Sequence, residues 1–135
     1  MPSDGEELPI LREVVRVHSH ETRAMRLVIR DSAALAKVPL EQIPIDFDHE
    51  MMLVITLGRV PSDQYRVKID RVVREGGELR VESSVVQPPE GAPLVPSSPY
   101  CIAVVPKCEL NVAGFSSNPP ARQRTWTQSE PGFGR

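Results

Sequence analysis

The chain is 135 residues long, the usual size of one domain, which excludes a large enzyme carrying a separate cofactor domain. Hydrophobic residues make up 40% and charged residues 25%, a composition of neither a disordered nor a membrane-embedded chain, and apolar runs such as residues 51–55 fall far short of the ~20 that a membrane helix needs. A net charge of −2 offers no basic excess for nucleic acid or an acidic membrane surface.

Residues 1–12 read as an acidic leader. They lack the basic and apolar regions of a secretory signal, so either the chain is cytoplasmic or a leader has been removed. Residues 13–17 are short and β-branched, a strand. Met25, Leu27 and Ile29 alternate with Arg26, Val28 and Arg30, a second strand of period two. Asp31-Ser32 offers an N-cap to residues 33–38, a two-turn helix that Pro39 stops and that docking of Leu35 and Val38 holds.

Residues 51–57 are apolar on both faces, as in a central strand covered on both sides, and Gly58 ends the run. Tyr65, Val67 and Ile69 alternate with Arg66, Lys68 and Asp70; the apolar phase then slips to Val72, which predicts a β-bulge at Asp70-Arg71. Glu75-Gly76-Gly77 supplies a hairpin turn, and the return strand points Leu79, Val81 and Val85 inward. Residues 87–99 hold five of the 14 prolines and form a long stiff connection. Residues 100–105 make another two-sided apolar strand, and Leu110 and Val112 a last short one. The tail, residues 114–135, is rich in Pro, Gly, Ser and Arg, with Phe115, Trp126 and Phe133 as its packing points.

The expected fold is mainly β: a small antiparallel sandwich or partly open barrel of six to seven strands with one short helix, in a single domain over 13–113. Its chemistry is sparse. His18 and His20 share one side of a strand, and with His49 or the carboxylates of Asp46, Asp48 and Glu50 a zinc site can be drawn. The ordinary reading, histidines at a solvated strand end, fits better, because no cysteine pair or helical His-x-x-x-His supports a metal. The acidic run 46–50 lacks the glycine and the bidentate glutamate of a calcium loop; Phe47 instead plugs the core. There is no nucleophile elbow and no phosphate-binding glycine loop. Cys101 sits in a buried strand as packing, and Cys108 lies too far along an extended chain to bridge it without a turn. Arg122, Arg124 and Trp126 belong to a solvated tail rather than to a nucleic-acid clamp. Three Phe, two Tyr and one Trp leave little for a small-ligand stacking pocket. No cofactor is expected.

The most informative loop is 59–65. It joins the central strand to the hairpin strand, and Arg59, Pro61, Ser62, Asp63, Gln64 and Tyr65 stand where a sheet-mounted loop makes contacts.

Asp46-Phe47 leading into residues 51–58, then Pro61, Tyr65 and Ile69, resembles the PrcB C-terminal domain family, named after a subunit of a bacterial surface protease complex. The likeness continues through Leu79-Arg80-Val81 and Ser97-Ser98-Pro99-Tyr100, with an echo in His18-Ser19 and residues 28–31, covering roughly residues 14–112. Where the family pattern reads Thr-Gly-Gly-Tyr, this chain reads Ser62-Asp63-Gln64-Tyr65. Glycine reaches positive φ at no steric cost and Gln does not, so the loop is expected to turn differently. The resemblance implies a non-enzymatic association domain with a protein partner, a protease or a subunit of its complex, and it carries over no catalytic residues. A similar Gly-Tyr strand entry occurs in chagasin-like protease inhibitors, β-sandwiches that bind through loops; the analogy stops at the fold. The competing expectation is a metal-dependent enzyme or small-ligand binder using His18, His20 and His49.

Overall fold

The computed structural model describes residues 5–19, 21–38, 40 and 43–117. Within them the chain runs β1 (Glu7–Leu8), β2 (Arg12–Arg16), β3 (Ala24–Ile29), α1 (Ser32–Leu35), β4 (Glu50–Leu57), β5 (Arg66–Glu75), β6 (Glu78–Val86) and β7 (Tyr100–Pro106). All strand pairs are antiparallel, in a three-stranded sheet ordered β1-β5-β6 and a four-stranded sheet ordered β2-β7-β4-β3.

The two-sided apolar strands β4 and β7 take the middle of the larger sheet, where both faces need cover. Met51, Leu53 and Ile55 alternate with Met52 and Val54, and all five are buried. The first set packs with Cys101, Ala103 and Val105 of β7 against Val67, Ile69, Val72 and Leu79 of the smaller sheet. The second set packs with Ile102 and Val104 under Leu35 and Val38, joined by the half-buried Leu40, Ile43, Ile45 and Phe47. The molecule therefore has three layers: the small sheet, the large sheet and a helical strap. Burying Leu35 and Val38 is worth about 1.5–3 kcal/mol each, which holds a segment too short to be helical alone.

Several expectations change. The helix has one turn, not two: Asp31 Oδ1 accepts from the Ala34 N–H at 2.8 Å. Lys37 then bonds back to Ala34 and Val38 to Leu35, three residues each, so the chain tightens out of α geometry. Leu110 and Val112 form no strand; Val112 makes one isolated parallel bridge to Leu79. Val85 lies across from buried Val67 yet is 47% exposed, because β6 is an edge strand and its end is uncovered. The first strand, β1, comes from the segment read as leader, pairing Glu7 with Val73 and Leu8 with Val72. The bulge falls between Ile69 and Arg71, where the phase slip put it. Phe115 is buried, and the Arg26 guanidinium lies 5.8 Å from its ring centre. Trp126, Phe133, Arg122, Arg124, His20 and Pro39 lie outside the described residues.

Candidate functional site

Strand register assigns every connection to one of two ends. Arg16 pairs with Tyr100, Tyr100 with Thr56, Ala24 with Leu57, and Arg66 with Val86. The β2–β3, β4–β5 and β6–β7 connections therefore leave from the same end of the sandwich. The candidate loop 59–65 belongs to the middle one, and its neighbours hold it on both sides.

On one side is the β6–β7 connection. Val60 and Ser97 exchange backbone bonds of 2.9 and 3.0 Å. The Ser97 hydroxyl, itself buried, donates to the Ser62 carbonyl at 2.8 Å, and Leu57 N–H donates to Pro99 O at 3.0 Å. The Ser98 N–H reaches on to Val17 O at 3.0 Å, tying in the β2–β3 connection. On the other side, Gly58 has a φ of +75° and lies against the backbone of residues 22–24. Thr56 Oγ1 donates to Arg23 O at 2.6 Å and accepts from the Met25 N–H at 2.9 Å.

Glu21 is 3% exposed and is built into this seam. Its carboxylate accepts from the Arg23 N–H at 2.9 Å and Nε at 2.8 Å. Burial pushes the Glu21 carboxyl up, but the bonds from Arg23 outweigh it and the net shift is downward. The residue is charged and structural, a brace inside one connection.

Within the loop, Arg59, Pro61 and Gln64 are exposed, Asp63 and Tyr65 half-buried and Ser62 buried. Ser62 Oγ accepts from the Gln64 N–H at 3.1 Å, and Arg66 Nη1 donates to the Asp63 and Tyr65 carbonyls at 2.7 and 2.9 Å. Ser62 thus fastens the loop, while Arg59, Pro61, Asp63, Gln64 and Tyr65 form its accessible rim. The chain from β4 through this loop to β7 now carries the deciding comparison, a match to the family model described as PrcB C-terminal. Residues 51–106 are similar to the PrcB C-terminal family. No curated protein and no solved structure matches the chain. The matched segment contains loop 59–65 and the proline-rich connection entire, and it starts after the β2–β3 connection that braces them.

His18 and His49 lie at opposite ends of the sandwich. His18 lies beyond β2 at the loop end, whereas His49 immediately precedes β4 at the other. Since β4 spans Glu50–Leu57, roughly 25 Å of strand separates the two ends. His49 Nδ1 instead lies 2.8 Å from Asp46 Oδ2, and this hydrogen bond holds the imidazole above its usual pKa and the carboxyl below its own. Asp46 also accepts from the Asp48 N–H at 3.1 Å, and Arg12 occupies Glu50 at 2.7 Å. The acidic run is a turn closed on itself. Among the described residues no three of His, Cys, Asp and Glu converge as metal ligands. Cys101 and Cys108 are both free and buried, and burial pushes the Cys101 thiol up to about 12. A cleft of about 490 Å³ opens away from the loops, beside Leu8, Pro9, Pro106 and Cys108.

The sequence pointed to the loop but missed its frame. Ser97, Ser98 and Glu21 carry no periodic signal. The run Ser97-Ser98 closing a proline-rich stretch was the one available hint, because small hydroxyl residues there can bond backbone where proline cannot.

Proposed function

We propose that the domain is a non-enzymatic association module that binds another protein through loop 59–65, with the proline-rich 87–99 segment beside it. One observation carries this reading: an exposed rim of mixed charge stands on a loop bonded to the β6–β7 connection, which is itself bonded to the β2–β3 connection. Little ordering entropy then remains to be lost on binding. The family name favours as partner a protease or a subunit of its complex. The non-enzymatic part draws support from the raised Cys101 thiol and from the separation of His18 and His49.

Replacing Arg59, Asp63 and Gln64 together with alanine is expected to abolish partner capture from source-cell lysate and surface fraction while leaving the urea midpoint unchanged. The loop's internal bonds use backbone carbonyls and Ser62, so the triple variant keeps them. Recovery of a protease or its maturation subunit, competed by untagged protein, supports the partner class. Undiminished capture by the triple variant sinks the loop assignment.

A further inference from the structure

The three-stranded sheet ends in β6, whose outer side is only partly covered. At Leu79 the edge is occupied: its N–H donates to Asn111 O and its carbonyl accepts from the Ala113 N–H, both at 2.8 Å. Main-chain groups alternate sides along an antiparallel strand, so Val81, Ser83 and Val85 face the same way as Leu79. Among the described residues nothing outside the sheet bonds them. The flank is apolar too, with Val85 and Val86 47% and 60% exposed. Residues 81–86 read Val-Glu-Ser-Ser-Val-Val, with no lysine or proline to guard the edge.

We propose that this edge is a self-association surface, on which β6 of a second copy of the chain pairs antiparallel with the two-fold axis at Ser83. What each register sets side by side selects the occupant. Centred on Ser83, Val81 meets the partner's Val85 and Val85 meets the partner's Val81, while Glu82 faces Ser84. No like charges are opposed, and the half-exposed Val85 gains an apolar neighbour. Centred on Glu82, the two Glu82 carboxylates face each other, which is destabilising. Centred on Val81, Ser83 must pair with Leu79, whose edge Asn111 and Ala113 already fill. Centred on Ser84, Val81 is set against Gln87, beyond the strand.

The Ser83 register also fits the free length. It runs from Val81 to Val85, stopping at one end where residues 111–113 cover the edge beside Leu79 and Arg80 and at the other before Pro88 and Pro89 leave the ladder. The assembly is closed and two-fold, a continuous sheet ordered β1-β5-β6-β6-β5-β1. Because the joined strands run in opposite directions, the two loop ends point apart and both stay open.

Sedimentation of the full chain from micromolar to millimolar concentration measures the dimer dissociation constant. Ser84 is exposed, and among the described residues its hydroxyl makes one bond, a 3.2 Å contact to Asp70. In the assembly it faces the partner's Glu82, twice by symmetry. Ser84→Glu is expected to weaken the dimer and Ser84→Lys to tighten it, each about several-fold, with far-UV spectra unchanged. Opposite shifts from one position are the signature of this register. A chain monomeric throughout the range overturns the proposal, as does weakening by both variants or a constant that neither variant moves.

Discussion

Gly58 ends β4 at a φ of +75°, and a β-carbon there would stand 3.0 Å from the Ala24 nitrogen and 3.1 Å from the Thr22 carbonyl oxygen. Both obstacles are backbone, which cannot swing aside as a side chain can. Gly58→Ala is therefore expected to cost about 1–3 kcal/mol in a urea titration, through strain and through loosening of the seam that holds loop 59–65. A variant that unfolds at the wild-type midpoint would show that the seam is not tight. Glu21 gives the same seam a pH dependence. Its carboxyl is held below the ordinary glutamate value in the fold, so its stabilisation is present above the unfolded-state value and is lost as pH falls through the depressed one. Glu21→Gln is expected to lower stability at neutral pH and to flatten the acid side of the stability profile; an acid limb as steep as in the wild type would remove Glu21 from that role.

At the scale of elements, β4 is the wall between two cores. Leu53, 0% exposed, faces the small sheet, and its neighbours pack from both sheets. Leu53→Ala is expected to cost about 2–5 kcal/mol, read from chemical denaturation, because neighbours fixed in two ladders cannot collapse into the void. Val86→Ala on the exposed end of β6 is the matching control, within about 0.5 kcal/mol. β4, β7, the hairpin and its bulge were legible in the sequence because each imposes a period or a break in period on residues that must face a core. β1 was not, since two residues cannot show a period. Leu110 and Val112 misled because apolar alternation also marks a chain that touches a sheet at one bridge. The seam around the loop was illegible for a related reason: Ser97 and Ser98 act through polar bonds to backbone distant in sequence, which only register brings together, and Glu21 acts through local bonds to Arg23 that impose no period.

Over the whole molecule the two ends differ in character. One gathers three connections into a braced platform; the other carries the hairpin, the helical strap and the self-closed Asp46–His49 turn. The side chains of the loop rim make none of the bonds that hold the platform together, which is why the triple loop variant is expected to lose capture while keeping its urea midpoint. The order of strands in the larger sheet has a consequence of another kind. Its first strand in sequence, β2, pairs only with its last, β7, which also completes the edge of β4. Chains leave the ribosome at roughly 5–20 residues per second, so β2 emerges several seconds before the strand it needs. During that interval β3 and β4 can pair, but β4 presents an open apolar edge to the cell. The domain is thus most exposed to misassembly while it is being made, and the arrival of residues 100–106 closes that window in one step.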